Sequence, residues 1–90
     1  MSKKKLSILR NHINELDEKI FSMIYKRMNI AKKIGKIKVQ HNMEITNNDR
    51  ENELIKHILG LPDNILDQGE IESIYKLFFS ISKKRQDFNK

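Results

Sequence analysis

The sequence predicts an all-α protein: three helices, one of them a very long N-terminal helix, in a homodimer. Three observations predict it. Apolar residues recur at alternating steps of three and four, from Leu6, Leu9, Ile13, Leu16, Ile20 and Met23 to Ile30, Ile34 and Ile37, which is the spacing of one face of a helix. Two shorter stretches with helical spacing follow, each opened by a sequence resembling a capping box. No stretch reads as a strand.

The first helix runs from about Lys4 to about Gln40. At 1.5 Å per residue it is roughly 50 Å long. Ninety residues make a single domain, 1–90, and a globule of that size has a radius of gyration of roughly 12–13 Å. One helix therefore outruns the domain, and its apolar seam needs a cover from elsewhere. A second copy of the chain is the simplest cover. Gly35 lies inside this helix and weakens it by up to about 1 kcal/mol relative to alanine. It marks a close approach of a helix or a ligand, or nothing.

The stretch His41–Asn47 is mostly polar and breaks the pattern. The second helix starts near Asn48, with Asn48-Asp49-Arg50-Glu51 as its box and Glu51 as the returning acid. It carries Leu54, Ile55, Ile58 and Leu59 and stops at Gly60 and Pro62. The third starts near Asp67, where Asp67-Gln68-Gly69-Glu70 offers a second box. Its stripe is Ile71, Ile74, Tyr75, Phe78 and Ile81, and the same face then turns polar at Ser82 and Gln86. The lysine-rich N-terminal residues and Asp87–Lys90 are expected to fray.

Composition removes several classes of function. There is no cysteine, so neither disulfides nor cysteine-held metal can staple the chain. Met1-Ser-Lys-Lys-Lys imitates the start of a signal peptide, but Arg10, His12 and Glu15 stand where its apolar core belongs. No apolar run approaches membrane-spanning length. A cytoplasmic location with no membrane partner is expected. His12, His41 and His57 show no metal spacing and read as surface residues. There is no thiol nucleophile, serine elbow or glycine-rich phosphate loop. An enzyme on this chain therefore works without covalent or acid–base machinery, and no cofactor or metal is expected.

The net charge of +6, from 18 basic and 12 acidic residues, attracts anions such as nucleic acid or a small dianion. Lysine dominates the basic set, alongside many isoleucines and asparagines. Only four arginines occur, Arg10, Arg27, Arg50 and Arg85, and arginine makes planar, bidentate carboxylate contacts that lysine cannot. Arg27 occupies the seam position between Met23 and Ile30. A guanidinium there is costly to bury unless an anion pairs with it, and that anion is either a carboxylate of this protein, such as Glu51, or a ligand. Lys38 lies eleven residues on, about three turns and about 16 Å along the axis, and points the same way. One small anion between the two tips could touch both; the plain alternative for Lys38 is a solvated lysine. Arg10 is about 25 Å from Arg27 and roughly 100° around the rod. It is a surface residue, or it completes a site in a partner subunit. Glu51, Asn47 and Asn48 suit cap positions, and Ser82 and Gln86 suit a helix end, yet each falls on an inward face or at the inward end of a helix.

Five motifs in order resemble the all-helical chorismate mutases of the AroQ class, from Leu9 to Gln86: Leu9-Arg10 with Ile13 and Leu16-Asp17; Lys26-Arg27-Met28; Ile34-Gly35-Lys36-Ile37-Lys38; Asp49-Arg50-Glu51; and Ser82 with Gln86. The resemblance implies an isomerase that converts chorismate to prephenate by a pericyclic rearrangement, on the route to phenylalanine and tyrosine. Such an enzyme holds the compact conformer of its substrate and stabilises negative charge building on the ether oxygen. By resemblance, the fold is an intertwined helical homodimer in which Arg27 and the partner subunit's Arg10 clamp the two carboxylates, and Lys38 and Gln86 face the ether oxygen, Lys38 also touching a carboxylate. Glu51 accepts from the ring hydroxyl, Ser82 meets the ring carboxylate, and Arg50 borders the site. Asn47 departs from relatives that carry an acid there; a contact through its backbone amide tolerates the change. The competing readings are an isochorismate–pyruvate lyase on the same scaffold and a non-catalytic basic dimer that binds nucleic acid. The second leaves Arg27 on the seam unexplained. A mutase domain within a bifunctional enzyme is a change of context, not of chemistry.

Overall fold

The computed structural model describes residues 2–86 and consists of three α-helices: α1 (Ser2–Gln40), α2 (Asn48–Leu59) and α3 (Gln68–Gln86). No strand occurs among the described residues. The helix expected from about Lys4 begins at Ser2, so the lysine-rich start is helical. Asp87–Lys90 lie outside the described residues.

α1 spans 39 residues, about 58 Å of helix, and the molecule measures 60 × 27 × 18 Å. The single helix is thus the length of the molecule. The radius of gyration is 17.1 Å, well above the roughly 12 Å of a globule of this size. α3 runs parallel to the second half of α1, with Met28 opposite Ser82 and Gly35 against Gln86. α2 packs on α3 but not on α1, which leaves a gap between α1 and α2 that α3 floors.

The face of α1 that α3 covers is not the seam. Met28, Ala31 and Gly35 are buried there and Ile24 is half-buried. Nearby Ile30, Ile34 and Ile37 lie roughly 100° round the helix and stay exposed. From Ser2 to Met23 every residue of α1 is exposed, Leu6, Leu9, Ile13, Leu16 and Ile20 among them. Among the described residues of one copy, nothing covers this half of the seam. On α3 the expected stripe largely holds. Ile71, Ser82 and Gln86 are buried and Tyr75, Phe78 and Ile81 half-buried; Ile74 is exposed, and Phe79, outside the expected stripe, is half-buried.

The helix ends follow from local chemistry. α1 closes through Asn42, whose left-handed φ of 54° lets Met43 N–H reach Lys38 O (2.8 Å) and Asn42 N–H reach Val39 O (3.3 Å), a Schellman arrangement that asparagine tolerates. α3 opens with the expected box: Glu70 N–H donates to Asp67 Oδ1 (2.8 Å) and Asp67 N–H to Glu70 Oε1 (2.9 Å). α2 departs by one residue. Its cap is Asn47, whose Oδ1 accepts from Arg50 N–H at 3.1 Å. Glu51 therefore falls one place beyond the position that returns a bond to the cap, and its side chain is released for other use.

Candidate active site

The gap between α1 and α2 is a cavity of about 420 Å³, a size that holds a small organic molecule. α1 contributes Arg27, Ile30, Ala31, Ile34 and Lys38; the connecting loop contributes Ile45 and Asn47. α2 supplies Arg50, Glu51 and Leu54, and α3 supplies Phe79, Ser82, Lys83 and Gln86. Seven of the eight expected site residues therefore line one hollow. The eighth, Arg10, lies on the exposed N-terminal half of α1, about 25 Å from Arg27 along the helix.

Arg27 and Lys38 reach the hollow because both sit where the seam meets the α3-facing stripe. Arg27 is half-buried, and its partners are neutral. Its Nη1 donates to Ser82 Oγ at 2.9 Å, and its guanidinium carbon lies 5.4 Å from the centre of the Phe78 ring, in cation–π range. Ser82, itself buried, donates its own hydrogen bond to Met28 Sδ at 3.6 Å. No carboxylate lies within ion-pair distance of Arg27 or Lys38 among the described residues. Of the protein carboxylates that the sequence offered as the anion facing Arg27, no described one takes that place; Glu51 is turned elsewhere. Lys38 Nζ donates to Ile45 O at 2.7 Å, which ties it to the loop that leads into α2 and fixes its reach.

Glu51 pairs with Lys83 across the α2–α3 contact, Nζ to Oε2 at 3.3 Å. Arg50 stands at the rim, exposed, with its guanidinium 3.2 Å from Glu53. Asn47 lines the hollow but spends its side-chain oxygen on the α2 cap. Gln86 is buried, and its Oε1 has no hydrogen-bond partner among the described residues. An unpaired buried acceptor costs about 1–3 kcal/mol, a debt that a donor entering the cavity would relieve. Gly35 explains how Gln86 comes so close. A Cβ at Gly35 would lie 2.6 Å from Gln86 Cα and 2.8 Å from its carbonyl oxygen.

Sequence reasoning missed Phe79 and Lys83. A signal existed for Phe79: Tyr75, Phe79, Ser82 and Gln86 follow steps of four, three and four, the line that continues into the two polar residues already singled out. Lys83 carried no such mark, because a lysine near the end of a helix is the commonest surface residue in this chain.

No group of histidine or acidic residues is placed to hold a metal among the described residues, and no described helix is long and apolar enough to cross a membrane. What the hollow offers is fixed positive charge, a few polar donors and acceptors, and apolar walls. That inventory suits binding and polarising a small anion, not nucleophilic attack.

Known proteins resemble this chain in fold and in sequence. The structure superimposes with a TM-score of 0.76 on a conserved hypothetical protein from Pyrococcus furiosus, 32% identical, over 92% of this chain and 96% of that one. In sequence, 57 residues are 39% identical to a bifunctional chorismate mutase/prephenate dehydratase from Aquifex aeolicus. That match takes in 63% of this chain but only 16% of the relative's length. The family profile of chorismate mutase type II matches residues 9–87. That span contains Arg10, all three helices' packed segments and every side chain that lines the hollow, and the chain belongs to the chorismate mutase type II family.

Proposed function

We propose that the protein is a chorismate mutase, an isomerase that rearranges chorismate to prephenate, and that it works as a homodimer. The observation that carries the reading is the pairing of Arg27. A half-buried guanidinium with a hydroxyl and an aromatic ring for partners keeps its charge available to an incoming anion. Chorismate carries two carboxylates, a ring hydroxyl and an ether oxygen. Arg27 takes one carboxylate, with Ser82 beside it. Lys38, eleven residues along the same face, and Gln86 stand toward the ether oxygen, where negative charge grows as the carbon–oxygen bond breaks and the new carbon–carbon bond forms. Donors fixed before reaction stabilise that charge without having to reorganise. Holding the side chain over the ring removes the entropy of reaching the reactive conformer. Glu51 accepts from the ring hydroxyl, and Arg50 borders the entrance. Asn47 contributes through its backbone, its side chain being committed to the helix cap.

The homodimer rests on the uncovered seam. Leu9, Ile13, Leu16 and Ile20 are each more than half exposed in a single copy, on a helix that extends some 33 Å beyond the packed part. An antiparallel partner helix would cover them and carry the partner subunit's Arg10 to the open side of the hollow, where it would meet the second carboxylate.

The test is the disappearance of chorismate's diene absorbance on addition of the purified protein, with prephenate identified as product. Salicylate from isochorismate, with no prephenate from chorismate, would replace this reading by the lyase.

A further inference from the structure

We infer that Lys83 is a positioning residue of the site: by holding one oxygen of Glu51 it keeps that carboxylate off Arg27 and Lys38 and aimed at the substrate's hydroxyl. The inference rests on the reading of the reaction given above and adds to it a residue that reading does not use.

Among the described side chains lining the hollow, Glu51 carries the only carboxylate, facing cations at Arg27, Lys38 and Arg50. In an empty hollow a lone carboxylate is drawn to the least solvated cation within reach, and attraction across a partly dry space is stronger than in water. Glu51 swung toward Arg27 or Lys38 would occupy the charge that a substrate carboxylate needs. The structure has it elsewhere. Lys83 Nζ stands 3.3 Å from Glu51 Oε2, with side chains 39% and 23% exposed, so the pair is half-buried and not a solvent-borne surface bridge. Lys83 is the one ion-pair partner of Glu51 among the described residues.

Two features of the sequence make the pairing possible. The α2 cap falls on Asn47 and not on Asn48, which frees Glu51 from the capping role and turns it to the cavity wall. Lys83 follows Ser82 directly on α3, so the residue that holds Arg27 and the residue that holds Glu51 are neighbours on one turn. α3 thereby keeps the acid and the guanidinium of the site apart.

The role predicts a particular pattern of kinetic loss. A hydroxyl that is not part of the breaking bond is held alike in ground state and transition state, so a misplaced Glu51 weakens binding and leaves the chemical step largely intact. Lys83→Met keeps most of the length of the side chain and removes its charge. It is expected to raise KM about three- to tenfold, the range of a half-buried ion pair, with most of the loss in KM and little in kcat. Lys83→Arg is expected to restore most of the binding.

The deciding measurement is a double-mutant cycle on steady-state chorismate turnover with Lys83→Met, Glu51→Gln and the pair, checked by circular dichroism for helix content. If Lys83 acts through Glu51, Lys83→Met changes kcat/KM by less than about twofold once Glu51 is glutamine. An equal loss in both backgrounds would overturn the proposal and make Lys83 a direct substrate contact or a structural residue. No loss in the wild-type background would overturn it as well. Lys83→Gln, which keeps a polar tip, stands in for Lys83→Met if the latter fails to fold. Wild-type turnover in the same assay separates the two levels. A wild-type protein inert to chorismate refutes the reading of the reaction, and this role with it, whereas normal wild-type turnover with an additive cycle refutes the role of Lys83 alone.

Discussion

Replacing Gly35 by alanine tests whether helix contact, and not helix propensity, selects the residue at that place. In an exposed helix the change stabilises by up to about 1 kcal/mol. Here the added Cβ meets Gln86 Cα at 2.6 Å, its carbonyl oxygen at 2.8 Å and its Cβ at 2.9 Å. Two of those atoms are backbone, and none is the end of a flexible side chain. Ordinary contact begins near 3.4 Å, so α1 and α3 must separate by about 0.8 Å at this point. Forcing a methyl group into packed structure costs about 1–3 kcal/mol. Set against the propensity gain, the net is a loss of about 0–2 kcal/mol, equivalent to a fall in Tm of up to roughly 8–16 °C for a domain of this size.

The shift lands on Gln86 and, one turn earlier, on Ser82, which holds Arg27. A displacement of about 1 Å in a positioning element can lower turnover a hundredfold. Gly35→Ala is therefore expected to lose far more activity than stability. Thermal unfolding followed by circular dichroism, beside chorismate turnover, measures both. Gly69→Ala is the control, since its Cβ would meet only Asp67 Oδ1 at 3.4 Å. A Gly35→Ala protein as stable as wild type and as active would refute the close approach on which the site geometry depends.

Three further outcomes follow from the same contacts. Arg27→Ala and Lys38→Ala should each keep the helical fold and lower kcat/KM by orders of magnitude, since removing one fixed donor costs about 2.7–4 kcal/mol of transition-state stabilisation; near-normal turnover in either would contradict its role. Asn47→Ala should cost about 1 kcal/mol through the lost α2 cap, while Asn47→Asp, which caps equally well, should hold its Tm; equal melting of all three would mean that the Asn47–Arg50 bond contributes nothing. Arg10→Ala mixed with Arg27→Ala should regain part of the activity each lacks, because one of the two hybrid sites then keeps both arginines; proven subunit exchange without recovery would argue against a site shared between copies.

Much of this was readable in advance, for identifiable reasons. The length of α1 followed from a repeat that never slips between Leu6 and Ile37. The start of α3 followed from Asp67 and Glu70, whose spacing permits both reciprocal bonds. The convergence of Arg27, Lys38, Glu51, Ser82 and Gln86 on one hollow followed from helical spacing together with the family motifs. What failed to show was anything decided between helices. Asn47 and Asn48 are equally good caps on paper, and only the folded loop selects the first. The stripe of α1 that α3 covers consists of Met28, Ala31 and Gly35, two of them small, so it carries a weak apolar signal beside the isoleucines of the seam. Small residues let the backbones approach, and that property does not register as hydrophobic periodicity. Lys83 was invisible because its meaning lies in Glu51, a residue on another helix.

The seam and the α3-facing stripe together account for the placement of both long-reaching cations. A side chain at the centre of the seam, such as Ile30, is more than half exposed in one copy and would be covered further by another. One at the centre of the stripe, such as Ala31, is pressed against α3 with no room for a guanidinium. Arg27 and Lys38 occupy the border between the two faces, and three turns of helix keep them on that border together. There a charged tip can be half-covered by α3, held by Ser82 or by the Ile45 carbonyl, and still face an open volume. At position 27 an isoleucine would only line the wall, as Ile30 and Ile34 do, whereas an arginine there can bind an anion.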